Sequence, residues 1–153
     1  MYLMWILRAE MVAKKTKSRM AALQALYELD LADHPLGTAL EARAEDLELD
    51  EAQYDFALKL AQGVHKTTVQ LDELISRHAP EWPLDQVAVI DRNILRLALW
   101  EIAFYRETPL RVVINEAVEL AKVYGTDSSP RFVNGVLGSL VESLERIKQS
   151  ILK

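Results

Sequence analysis

Apolar positions recur along this chain at helical spacing, and no stretch alternates apolar and polar residues as a half-buried strand would. Leu23, Leu26, Leu29 and Leu31 predict a helix over Met20–Leu31, entered from the basic stretch Lys14–Arg19. His34-Pro35-Leu36-Gly37 breaks it, Thr38–Glu45 reads as a short helix, and Asp46–Asp50 is an acidic connector. Helical spacing resumes from Glu51 to about Ala79, through Tyr54, Ala57, Leu58 and Ala61 and then Val69, Leu71, Leu74 and Ile75. The β-branched residues between Gly63 and Thr68 predict a break there. Pro80-Glu81-Trp82-Pro83 ends the segment.

Asp85 is placed to cap a helix running to about Tyr105. Its residues are apolar almost all round (Val87, Val89, Ile90, Ile94, Leu95, Leu97, Leu99, Trp100, Ile102, Phe104). A helix of that kind is surrounded by others, which makes it the central one. Thr108-Pro109 opens the next helix, Leu110–Tyr124, with Gly125 as its C-terminal cap. Thr126-Asp127-Ser128-Ser129-Pro130 reads as turn, N-cap and first-turn proline before a last helix from about Arg131. The fold expected from this pattern is all-α.

Composition narrows the function. The 153 residues are 50% hydrophobic and 27% charged, an ordinary globular balance for a single domain. With no cysteine, disulfides, thiolate metal sites and a thiol nucleophile are excluded, and the chain suits a reducing compartment. The apolar run Met1–Leu7 is too short to span a bilayer and lacks the basic leader of a signal peptide. Residues 1–13 are therefore expected to be a disordered or vestigial extension, or else an apolar arm that docks on the body or on a second subunit. Residues 14–153 form one helical domain, and the protein is expected in the cytoplasm and off the membrane.

No catalytic constellation emerges. His34, His65 and His78 share no ligand spacing, so no metal site is expected, and Gly135 with Gly138 is not a phosphate loop. No cofactor is implied. The carboxylates between Glu41 and Asp55 read as a solvated acidic face.

Charge distribution is more informative. Overall net charge is −5, yet Arg8, Lys14, Lys15, Lys17 and Arg19 face only Glu10 in their stretch, a local +4 that leaves −9 elsewhere. Such a patch offers a polyanion one place to dock. At 100° per residue Lys17, Gln24 and Tyr27 fall within roughly 80° on the first helix. A cation, an amide and an aromatic on one stripe suit phosphate, base edge and base face. An amphipathic boundary tyrosine beside solvated lysines explains the same residues equally well. A second cluster places Arg131 and Phe132 at a helix amino terminus, which suits a phosphate and a stacked base. Alternatively, Phe132 anchors the core and Arg131 pairs with Asp127.

The run Val113-Ile114-Asn115-Glu116-Ala117-Val118-Glu119-Leu120-Ala121-Lys122, continuing through Tyr124-Gly125-Thr126-Asp127 into Arg131-Phe132-Val133-Asn134-Gly135-Val136-Leu137, resembles the signature of the NusB family of bacterial transcription antitermination factors. Ala25-Leu26-Tyr27 and Asp91-Arg92-Asn93-Ile94-Leu95-Arg96-Leu97-Ala98 resemble it too, so the likeness spans about Lys14 to Leu140. The resemblance implies two three-helix bundles with about seven helices in all. It implies binding of single-stranded boxA leader RNA jointly with the ribosomal protein NusE, in RNA polymerase antitermination complexes on ribosomal RNA operons. It also implies a capacity to self-associate through the RNA-binding face.

Carried over residue by residue, the family's basic arm falls on Lys14, Lys15, Lys17 and Arg19, its first-helix aromatic on Tyr27, and its basic-aromatic pair on Arg131 and Phe132. The acidic position that faces NusE falls on Asp91, with Leu110 and Arg111 as further partner contacts. Ser128 stands where the family often has a second acid, and Pro130 is unusual there. The lysine-rich arm gives fewer bidentate contacts than arginines would. Two other readings of the domain are a module of an RNA cytosine methyltransferase, against which the missing cofactor loop counts, and a plain dimerisation module.

Overall fold

The structure is a computed structural model that describes residues 2–152, with only the backbone described for residues 2, 5–13, 78 and 147–152. It contains seven α-helices: α1 (Tyr2–Leu31), α2 (Leu36–Asp46), α3 (Glu51–Lys66), α4 (Thr68–His78), α5 (Val89–Trp100), α6 (Leu110–Tyr124) and α7 (Ser129–Leu152). A 3-10 turn occupies Leu84–Gln86 and a π-helical turn occupies Glu101–Tyr105, and no strand occurs among the described residues. The all-α expectation holds. The chain divides into two compact units, Met1–Lys66 and Thr67–Lys153.

In the first unit α1 is much longer than its leucine pattern suggested. The first proline is Pro35 and the first glycine Gly37, so nothing upstream stops the helix. Lys14–Arg19 therefore lie on helix rather than on an arm. The backbone passes through the boundary expected at Lys14 without a break, while Arg8 and the apolar run's Trp5–Leu7 lie outside the described side chains. Ala21, Ala22, Leu23, Ala25 and Leu26 are buried, and the alanines let α2 and α3 approach closely. Leu40, Ala57, Leu60, Ala61 and Val64 complete this core. Leu31, counted in the repeat, is exposed at the helix end.

A capping box opens α3. Asp50 Oδ1 accepts from the Gln53 N–H at 2.8 Å, and Gln53 Oε1 accepts from the Asp50 N–H at 2.9 Å. The same buried Gln53 donates through Nε2 to the Lys14 carbonyl at 3.0 Å. Ser18 Oγ donates to the Gln53 carbonyl at 2.8 Å, so these bonds tie α1 to the start of α3. Part of the acidic stretch thus has a structural task.

In the second unit α5 is the central helix, with Ile94, Leu95, Leu97, Ala98, Leu99 and Trp100 buried against α4, α6 and α7. Arg96 on its buried side forms a bidentate pair with Asp72 of α4, Nε–Oδ1 2.8 Å and Nη2–Oδ2 2.9 Å. Such a pair fixes the register of two helices as well as contributing energy. Asp85 does not cap α5: it lies in the 3-10 turn, and the helix starts at Val89 after Ala88, with no side-chain cap. The helix ends in the π-helical turn, closed by the Arg106 N–H on the Glu101 carbonyl at 2.9 Å, with Arg106 left-handed at φ 63°. Phe104, expected in the core, is 47% exposed.

Gly125 follows α6 as expected, but for a different reason. Its backbone is extended (φ −92°, ψ −166°), not left-handed. A Cβ there would collide with the Ser129 hydroxyl and sit 2.8 Å from the Ala121 carbonyl oxygen. Ser129 is buried, and its Oγ accepts from the Thr126 N–H at 2.9 Å, which fastens the α6–α7 turn.

Candidate nucleic-acid interface

The expected RNA-contacting residues fall in both units. Lys14, Lys15, Lys17, Arg19, Gln24 and Tyr27 lie on α1 of the first, and Arg131 and Phe132 lie on the first turn of α7 in the second.

On α1, folding engages part of the positive charge. Arg19 is 2% exposed, with its guanidinium carbon 5.4 Å from the centroid of Phe56 on α3. Lys15 Nζ is 5.2 Å from the same ring. These are cation–π distances, and burial of the Arg19 stem adds packing to the attraction. Arg19 is accordingly corrected from a surface cation to a core residue of the first unit. Lys14 is exposed and reaches Asp50 at 3.7 Å, a surface pair of small energy. Lys17 is exposed, and no hydrogen bond or ion pair engages it among the described residues. Gln24 is half-buried and Tyr27 is 37% exposed, so the stripe Lys17–Gln24–Tyr27 reaches solvent.

On α7, Arg131 is exposed and forms no ion pair with Asp127 among the described residues. Phe132 is half-buried, with its ring 6.2 Å from that of Trp82 at an interplanar angle of 84°. Edge-to-face packing of that kind holds Phe132 at a fixed orientation. Trp82 is a residue that sequence reasoning passed over, treating its segment only as a helix stop. The two flanking prolines gave that reading; the tryptophan between them was the available signal.

The expected partner residues lie in the second unit. Asp91 occupies the first turn of α5, where the helix dipole favours a carboxylate. It is 8% exposed, yet among the described residues its Oδ1 has no hydrogen-bond partner and no ion pair joins it to Arg92. Arg92 instead donates through Nη2 to the Val87 carbonyl at 3.3 Å. Leu110 and Arg111 are exposed at the start of α6.

A profile of the NusB family matches residues 16–142. The chain belongs to the NusB family. Among its relatives, the transcription antitermination protein NusB of Chloroflexus aggregans is 41% identical over 136 residues, covering 88% of this chain and 91% of that protein. A crystal form of T. maritima NusB superposes with a TM-score of 0.76 at 35% identity, covering 84% of this chain and 90% of that one. A crystal structure of the antitermination factors NusB and NusE in complex with dsRNA matches with a TM-score of 0.76 at 26% identity, covering 86% and 97%. The NusB fold expected from the signature is therefore the fold of this chain. Among its described residues no helix is long and apolar enough to cross a membrane, and no cluster of His, Cys, Asp or Glu could hold a metal ion.

Proposed function

We propose that this NusB-family chain is a non-catalytic transcription antitermination factor that binds boxA leader RNA together with NusE. The observation that carries the reading is the solvent-reaching stripe of Lys17, Gln24 and Tyr27 on α1, with exposed Lys14 one turn before it, in a chain belonging to this family. Lys14 and Lys17 meet phosphates, and Tyr27 offers a face to an unstacked base. On the second unit, Arg131 and Phe132 supply a phosphate and a base contact. Single-stranded RNA suits the aromatic contacts, although the related complex holds double-stranded RNA. The heterodimer with NusE then joins RNA polymerase in the cytoplasm and sustains transcription of ribosomal RNA operons. Residues 14–153 constitute the binding domain in this reading, with residues 1–13 an extension to it. Self-association through the RNA-binding face would compete with RNA.

NusE docks on the second unit. The buried, unpartnered Oδ1 of Asp91 is an acceptor that a cationic or N–H donor from a partner satisfies. Exposed Phe104 and Leu110 offer apolar surface on the same unit. The test is a titration of single- and double-stranded boxA RNA and a scrambled control, with and without NusE. Tighter boxA binding that NusE strengthens is expected; equal weak binding to every RNA, unmoved by NusE, contradicts the reading. Asp91→Lys is expected to weaken NusE capture at least tenfold, leaving RNA binding by the chain alone unchanged, and intact capture would remove Asp91 from the partner surface.

A further inference from the structure

Three polar side chains of the family-like signature, those of Asn115, Arg131 and Asn134, make no hydrogen bond or ion pair among the described residues. On α6, Asn115, Val118, Glu119 and Lys122 stand at i, i+3, i+4 and i+7, a single stripe. On α7, Pro130, Arg131 and Asn134 share the facing side, and the two stripes line one groove of about 520 Å³ within the second unit. That volume lies in the range of about 300–1,000 Å³ in which small ligands are held.

Asn115 and Asn134 are both exposed, and neither carboxamide makes a hydrogen bond among the described residues. Arg131 is likewise unengaged, in the first turn of α7. Lys122 is paired with Glu119 at 2.9 Å, an exposed i,i+3 contact that a stronger anion displaces at small cost. The charged lining is thus one arginine and one lysine against one glutamate, net positive on a chain of net charge −5. Two neutral donor–acceptor amides beside cations at a helix amino terminus match a base edge and its phosphate. A purely anionic ligand would leave the amides unused, and an apolar one would desolvate them without return.

We infer that the α6–α7 groove is a nucleotide subsite, in which Asn115 and Asn134 read the edge of one base and Arg131, with Lys122, holds its phosphate. The inference rests on the RNA-binding reading above and adds to it a place where sequence is read.

The test titrates the full chain with a boxA oligoribonucleotide and a set of the same RNA carrying one abasic position at a time. Asn115→Ala with Asn134→Ala is compared with wild type and with Lys14→Ala/Lys17→Ala. Both asparagines are exposed helix positions where alanine favours the helix, and circular dichroism checks the fold. The expected result is about tenfold weaker binding of intact boxA by the asparagine variant, at an unchanged salt slope. At one abasic position wild type and variant should bind equally. Arg131→Ala should instead flatten the slope by about 0.7. Wild-type affinity of the asparagine variant, beside weakened binding by the lysine variant, overturns the subsite and leaves the function standing. A loss that is the same at every abasic position also overturns it, because the amides then contact no base. Absence of any boxA preference in wild type removes the subsite and the RNA-binding reading together.

Discussion

The basic stretch of α1 and the first turn of α7 carry the same kinds of residue, cations beside aromatics, and the fold treats them differently. On α1, Arg19 and Lys15 lie over Phe56 and Lys14 reaches Asp50, while no hydrogen bond or ion pair engages Lys17 among the described residues. On α7 and its neighbour α6, Arg131, Asn115 and Asn134 are all exposed, and their side chains are unengaged among the described residues. A count of positive residues therefore overstates the charge that α1 offers an RNA. It says nothing of the amides that the second unit holds ready. Which groups a polyanion meets is decided by what the neighbouring helix already uses.

The largest effect that separates the two regions is on stability. Arg19→Ala removes a buried stem and a desolvated cation–π contact, and is expected to destabilise the chain by about 2–3 kcal/mol in denaturant unfolding. Stability within a few tenths of wild type would put Arg19 back among the surface cations. Next comes Gln53→Ala, which removes half the capping box and the bond to the Lys14 carbonyl. About 1–2 kcal/mol is expected from the loss of cap and buried hydrogen bond. Gly125→Ala belongs to the same range, about 1–3 kcal/mol from forced overlap with Ser129, read as a lowered midpoint of thermal unfolding. An unchanged midpoint there would mean that the α6–α7 turn is free to shift.

The binding effects are smaller and sharpen the comparison. Lys14→Ala with Lys17→Ala should reduce the salt slope of RNA binding by about 1.4, two phosphate contacts on a single strand, with stability nearly unchanged. Arg131→Ala should reduce it by about half as much.

Most of the architecture was legible because its signals are local. Pro35, Pro80, Pro83, Pro109 and the break at Thr67 divide the chain where the helices divide, and α6 runs from Leu110 to Tyr124 as its spacing predicts. What escaped depends on partners distant in sequence or on backbone detail. The burial of Arg19 follows from Phe56 on another helix, which no pattern within α1 reports. The π-helical turn at Glu101–Tyr105, on which exposed Phe104 lies, is built on i→i+5 bonding such as that of the Arg106 N–H to the Glu101 carbonyl, which leaves no periodicity behind. Gly125 was located correctly, but its reason, contact with Ser129, is tertiary. One miss was avoidable: Asp50-x-x-Gln53 has the spacing of a capping box and lay in plain view within the acidic connector.

The candidate site was legible in the same measure. Lys17, Gln24 and Tyr27 sit on one accessible stripe as helical phase required. Asn115 and Asn134 were visible within the signature, but a sequence does not say which amides a fold leaves unbonded. Trp82 beside Phe132 needed the structure to bring them together.

The most direct test of the account is a salt-series titration of boxA RNA by wild type, Lys14→Ala/Lys17→Ala and Arg19→Ala, each checked for folding. The account predicts a flatter salt dependence for the lysine variant and a wild-type slope for folded Arg19→Ala. A slope lowered by Arg19→Ala and untouched by the lysine variant would contradict it.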